Sequence, residues 1–273
     1  MSFAKKIRGA VAGGARRKRA GSKGRRALLF GDSHAYAYQR AIEKRLSKGR
    51  PAPLKVHRLL KTKDARKIGD TSFEKILTTV RGLGPDDLVF SVIGGNQHAA
   101  YSMVQHPDRF DFFQPGGKVP RGADTAIVPY RALERAFERG LREGDGKSLQ
   151  ALKQATAARV VHIIPPPPKK DSNFIQRFHE SHFATLGIQD LGVSHPGLRL
   201  KFWLLQKREL EKLCADLGIE VLLPPPTALD EKGFLATEFY AGDGTHANYQ
   251  YAELVLREIE SRYLGKDVVE TAA

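Results

Sequence analysis

Five short apolar runs, Ala27 to Phe30, Leu54 to His57, Leu88 to Ile93, Val160 to Ile164 and Ile219 to Leu223, alternate with segments of helical periodicity. No other feature restricts the fold as much. The runs are rich in Val, Ile and Leu with little polar alternation, the pattern of strands covered on both faces. The helical segments run roughly over Tyr36 to Leu46, Ser72 to Arg81, Tyr130 to Leu141, Lys147 to Ala158, Leu198 to Leu217 and Asn248 to Tyr263. Strands alternating with helices predict an α/β chain, a three-layer α/β/α sandwich around a five-stranded parallel sheet. With 273 residues, 41% of them apolar, the chain is long enough to bury a substantial core in one such domain.

Ligands of an open parallel sheet bind beyond the carboxyl ends of its strands. Gly31-Asp32-Ser33 follows the first run, Gly94-Gly95-Asn96 the third and Pro165 to Pro168 the fourth. Pro224-Pro225-Pro226 follows the fifth and leads to Asp243-Gly244-Thr245-His246. Four strand ends on one rim predict a site. Two long irregular segments, about His98 to Pro129 and Lys169 to Gly197, are expected to be its walls or lids.

A serine hydroxyl is a poor nucleophile at neutral pH until a base removes its proton. His246 has the titration range for that base, and Asp243, three residues earlier, is close enough to hold the far ring nitrogen and fix the tautomer. Attack on a carbonyl puts negative charge on its oxygen, which pre-aimed donors stabilise. The backbone N–H of Ser33, a glycine after the second strand and the side-chain amide of Asn96 are candidates. Asp32 is expected to orient the turn. Each motif alone is common by chance, and each can be a turn or a cap; their order and their placement at strand ends favour catalysis.

The motifs Gly31-Asp32-Ser33-His34, Gly69 in Ile68-Gly69-Asp70-Thr71, Gly94-Gly95-Asn96 and Asp243-Gly244-Thr245-His246 resemble the four signature blocks of the SGNH (GDSL-type) hydrolase superfamily. The resemblance extends in order from about Arg26 to Tyr263. It implies a flavodoxin-like α/β/α fold and acyl-ester chemistry with no metal or organic cofactor. By carry-over Ser33 is the nucleophile, His246 the base and Asp243 its partner, while Ser33, Gly69 and Asn96 form the oxyanion hole. His34 stands where many members have Leu, a variant that resembles the branch associated with polysaccharide O-acetyl groups. Gly-Gly-Asn-Gln replaces the usual Gly-x-Asn-Asp, so any contact from that Asp must come from Gln97 or be lost. His34, Gln97 and His98 are candidate substrate contacts, with closing of the pocket as the equal alternative for His34 and His98.

The net charge of +15 points at first to nucleic acid or an acidic membrane as partner. Its distribution weakens that inference, because ten of the basic residues lie between Lys5 and Arg26 and no acid precedes Asp32. Residues 1–25 read as a basic, solvated tail, 26–265 as the hydrolase-type domain and 266–273 as a C-terminal tail. Arg16-Arg17 is not followed by the apolar segment that a secretory signal needs. Phe3, Ile7 and Val11 share one helical face, so a weak contact of the tail with anionic membrane or RNA is the alternative to plain solvation. No obligatory nucleic-acid partner, no membrane span and a cytoplasmic setting, peripheral at the membrane if the tail binds lipid, are expected.

Other residues have plainer readings. Cys214, the one cysteine, falls in the helical stripe Leu210, Leu213, Leu217, which points to packing. His179 and His182 have the spacing of one helix face but no third metal ligand, so a solvated face is expected. Trp203 reads as helix core, and Pro165 to Pro168 as a stiff site loop. The function expected is ester hydrolysis through an acyl-serine, on short-chain O-acyl esters of carbohydrate or another small molecule. The alternatives are O-acyl transfer by the same residues and a non-catalytic protein whose tail holds nucleic acid or anionic lipid.

Overall fold

The computed structural model describes residues 25–63, 66–116 and 125–265. The expected tails, 1–25 and 266–273, lie outside the described residues apart from Arg25. Strands β1 (Ala27–Gly31), β2 (Lys55–Arg58), β3 (Leu88–Val92), β4 (Arg159–Ile163) and β5 (Glu220–Leu222) form one sheet in the order β2-β1-β3-β4-β5. Every pairing is parallel. This is the flavodoxin-like order, whose direction reverses between β1 and β3.

Both sheet faces are covered because side chains alternate along each strand. Leu29, Phe90, Val161 and Leu222 pack with Tyr38 and Ala41 of α1 (Ala35–Leu46) and with residues late in the chain, Tyr251, Val255 and Ile259. Their neighbours Phe30, Val89 and Val160 pack on the opposite face. There they meet Ile76 and Val80 of α2 (Phe73–Arg81), and the later residues Leu149, Trp203 and Leu213. These are the three layers that the apolar runs predict.

Between β3 and β4 lie α3 (Gln97–Ser102), α4 (Tyr130–Glu143) and α5 (Asp145–Ala155). Beyond β4 come α6 (Ser172–Arg177), α7 (Ser181–Thr185), α8 (Ile188–Leu191) and the long α9 (Pro196–Asp216). The last helix, α10 (Tyr249–Ile259), is continued by a wider turn over Glu260–Leu264. Local signals set several boundaries. Ser72 caps α2 by accepting from Lys75 N, Pro196 opens α9, and Asn248 Oδ1 caps α10 by accepting from Gln250 N at 2.8 Å.

The first long irregular segment departs from expectation. Tyr101, Phe110 and Phe112 stack around Phe137 of α4 and Phe202 of α9. Phe110, Phe112, Phe137 and Phe202 belong to a smaller apolar cluster apart from the two that cover the sheet. The second segment folds into α6 to α8 and does reach the site.

Candidate active site

The Asp32-Ser33-His34 turn joins β1 to α1, with Ala35 N donating to Asp32 O at 3.1 Å and Tyr36 N to Ser33 O at 3.2 Å. Ser33 is therefore exposed at the start of a helix, where the macrodipole favours negative charge. Asp32 orients this turn as expected: Oδ2 accepts from Gly94 N at 3.3 Å and from Lys61 Nζ at 3.1 Å, tying the ends of β1 and β3 together.

Ser33, Gly69, Asn96 and His246 line one cavity of about 490 Å³, shared with Asp32, Arg58, Lys61, Ala100, Glu180, His182 and Phe183. The switch between β1 and β3 brings the nucleophile and asparagine blocks together, as the strand order requires. From the first long segment only Ala100 reaches this wall among the described residues, whereas Glu180, His182 and Phe183 come from the second.

Gly69 follows a hairpin, Lys61–Lys63 with Arg66–Ile68, that the sequence reading did not predict. Its φ is +90°, and a Cβ here would lie 2.2 Å from Leu59 O. Asp70 N and Thr71 N both donate to Arg58 O, folding the chain back on the end of β2. Only glycine fits that return.

His246 Nδ1–H donates to Asp243 Oδ2 at 2.8 Å, and His246 N donates to Asp243 Oδ1 at 2.8 Å. Nε2 is buried and has no hydrogen-bond partner, so no bond to Ser33 Oγ is formed in this resting arrangement. Burial pulls the His246 imidazole down, but the bond and charge of Asp243, with Glu180 and Asp32 adding to them, leave it above the usual histidine value. Burial pushes Asp243 up, yet its bond to His246 holds the carboxyl well below the usual range.

Sequence reasoning missed Glu180, at the start of α7. It accepts from the Thr245 hydroxyl and from Gly244 N (3.2 Å), and Oε1 lies 3.7 Å from His246 Nδ1. Lys169 was also missed. Its side chain is fully buried, and Nζ donates to Ala241 O at 2.8 Å and to Asp243 O, 3.8 Å from Asp243 Oδ1. Burial brings this ammonium down to about 8 against the pull of Asp243 and Glu180. Arg199 of α9, also buried, donates in turn to Lys169 O and Lys170 O, both at 3.0 Å. Neither interaction has a sequence signature, since the partners lie far apart in the chain.

The three candidate substrate contacts are placed elsewhere. His34 is buried, and its Nε2–H donates to Asn96 Oδ1 at 3.1 Å, with its ring centroid 4.9 Å from that of His246. Burial and the nearby His246 charge lower its pKa to about 4. His98 is buried too, with Nδ1 shared between Gly95 O (3.0 Å) and Gln206 Oε1 (3.1 Å). The Gln97 side chain packs against Gly140 of α4. None of the three lines this cavity: the turn into α1 buries His34 against Asn96, and the start of α3 turns His98 inward onto Gly95 and Gln97 toward α4.

Glu180, Asp243 and His246 are the cluster of potential metal ligands among the described residues, with their ligand atoms within 4.8 Å of one another. Their donors are already engaged: the His246–Asp243 bond uses Nδ1, and Glu180 holds Thr245 and Gly244. His179 and His182 do not share a helix face, since α6 ends before the first and α7 contains the second. Cys214 is buried in the core, its thiol pushed up to about 12 by burial. No helix among the described residues is long and apolar enough to cross a membrane.

Fold and site together define an α/β protein of flavodoxin-like strand order, with the Ser33, Asn96 and His246 blocks gathered at the carboxyl edge of its sheet. No protein-family model and no curated protein matches the chain. Among solved structures it is similar to the periplasmic domain of a lipopolysaccharide acetyltransferase from Salmonella ser. Paratyphi A (TM-score 0.46, 13% identity, covering 89% of this chain and 85% of that one). It is also similar to a carbohydrate acetylesterase from Sinorhizobium meliloti (0.41, 12%, 87% and 99%). A third similar structure is a GDSL-like lipase from Bacteroides thetaiotaomicron (0.40, 16%, 87% and 88%).

Proposed function

We propose that this chain is a serine-dependent acyl-ester hydrolase. The observation that carries the reading is the polarity of His246: one ring nitrogen is fixed by Asp243 at 2.8 Å, and the other is buried without a partner beside the cavity that Ser33 lines. In this reading His246 Nε2 takes the Ser33 proton as Oγ attacks the acyl carbon, and Asp243 holds the imidazolium that forms. Asn96 Nδ2, with the N–H groups of Ser33 and Gly69, receives the charge that develops on the carbonyl oxygen. The His34 bond to Asn96 Oδ1 turns the amide so that Nδ2 is left to donate.

Collapse breaks the acyl–oxygen bond, and the leaving alkoxide takes the proton from His246. Water then gives its proton to His246 and its oxygen to the acyl-serine, releasing the acid and restoring Ser33. The cavity, with its mixed polar and apolar wall, suits a short acyl group on a carbohydrate-sized alcohol. His34 in the nucleophile block favours an O-acetyl ester. The test is hydrolysis of 4-nitrophenyl acetate. Ser33→Ala and His246→Ala are expected to lose at least about 1000-fold in kcat, and an unchanged rate in Ser33→Ala overturns the reading.

A further inference from the structure

Arg58 ends β2 and pairs in register with Gly31, two residues before Ser33. Arg58 lines the same cavity as Ser33. Several other arginines have their charge answered. Buried Arg45 takes Glu253 at 2.7 Å and Glu260 at 2.7 Å, Arg26 takes Asp87 at 2.6 Å, and Arg199 is ringed by carbonyl oxygens. Arg58 differs. No carboxylate lies within 4.0 Å of its guanidinium among the described residues, Nε is buried with no partner, and one long bond of 3.4 Å joins Nη1 to the neutral Gln39 Oε1. Lys61 beside it is already neutralised by Asp32 at 3.1 Å.

The guanidinium is nevertheless held in place. It stacks over the Tyr36 ring at 4.9 Å from the centroid, and Tyr36 belongs to the first turn of α1, directly after the Ser33 turn. With Nε buried and one Nη1 bond taken, Nη2 and the rest of Nη1 remain without a countercharge in a planar fork, on a residue that lines the cavity also holding Ser33. A charge left unanswered at such a wall is the usual complement of an anionic ligand group.

We propose that Arg58 binds an anionic group, carboxylate or phosphate, on the alcohol portion of the ester, so that the site selects acyl esters of anionic alcohols. This rests on the ester-hydrolase reading of the same cavity. The fork and the fixed stacking make Arg58 a specificity residue that touches substrate and takes no part in bond breaking.

The experiment compares 4-acetoxybenzoate with its neutral methyl ester. Arg58→Met is expected to lower kcat/KM for the anionic ester about 10- to 100-fold, mainly through KM, and to leave the neutral ester within about 2-fold. Arg58→Lys, which keeps the charge without the fork, recovers part of the loss. An equal loss on both esters assigns Arg58 to packing, and no loss on either shows that it meets no anion; either result overturns the proposal. Binding is read separately by calorimetry in Ser33→Ala, with 4-acetoxybenzoate and 4-acetoxyphenyl phosphate as the carboxylate and phosphate arms. Binding there that Arg58→Met abolishes upholds the anion site even if the wild type hydrolyses neither ester, in which case the hydrolase reading alone falls. Turnover of both esters with no effect of Arg58→Met does the reverse.

Discussion

His246 Nδ1 and Asp243 Oδ2 stand 2.8 Å apart at the mouth of the sheet, and the same carboxylate receives the His246 backbone N–H through its other oxygen. The aspartate thus fixes the loop and the tautomer together. A base acts only when neutral, and these contacts raise the imidazole above its ordinary 6.5. The profile of kcat/KM should therefore rise with pH through a midpoint above 6.5. Asp243→Asn removes the charge and the correct acceptor, so the midpoint should move down and kcat should fall by about 1000- to 10,000-fold. A pH titration of 4-nitrophenyl acetate hydrolysis by both proteins measures this.

Glu180 supplies a second negative charge on the same edge of the ring, 3.7 Å from Nδ1. The other groups acting on His246 are Asp243, Asp32, His34 and, beyond Asp243, the Lys169 ammonium. Removing one negative charge from this set favours the neutral imidazole. Glu180→Gln should shift the midpoint to lower pH, whereas Glu180→Ala should also raise KM, because the latch between α7 and the Thr245 loop is gone. A pH profile of each variant separates the two effects.

His34 meets Asn96 through the amide oxygen at 3.1 Å. His34→Leu leaves that amide free to turn, and kcat should fall up to about 100-fold with little change in KM. Asn96→Ala should cost a similar factor. The double variant should be no slower than Asn96→Ala alone, which a double-mutant cycle in kcat reads directly.

Lys169 holds the carbonyl oxygens of Ala241 and Asp243 from beneath the loop. Lys169→Met leaves both without a donor in a buried place. A destabilisation of about 1 to 3 kcal/mol is expected, read by denaturant unfolding, together with a kcat loss larger than the change in KM because the Asp243–His246 geometry relaxes.

Much of this arrangement was legible in the chain. Leu88 to Ile93 and Val160 to Ile164 announced buried strands because Val, Ile and Phe fill both faces there, and the observed strands agree to within a residue or two. The motif blocks followed those runs, so Ser33, Asn96 and His246 could be placed on one rim. The Lys61 to Ile68 hairpin was not legible, since Lys-Thr-Lys-Asp-Ala-Arg-Lys-Ile has no apolar alternation to mark a strand. The helix expected over Lys147 to Ala158 begins at Asp145 and ends at Ala155, because Thr156 turns extended to start the approach to β4. His34 and His98 looked like pocket residues from their positions beside the motifs. Their direction depends on how α1 and α3 leave the sheet, and both point inward. Glu180 and Lys169 act on the Asp243 loop only through the tertiary fold, so no local pattern marks them.

The central claim, that Ser33 is a nucleophile activated from across the cavity, is tested most directly by labelling the full chain with a fluorophosphonate probe and mapping the modified peptide. The account predicts stoichiometric modification at Ser33, strongly slowed in His246→Ala and absent in Ser33→Ala. Labelling at another residue, or labelling of Ser33 that proceeds at the same rate without His246, would contradict it.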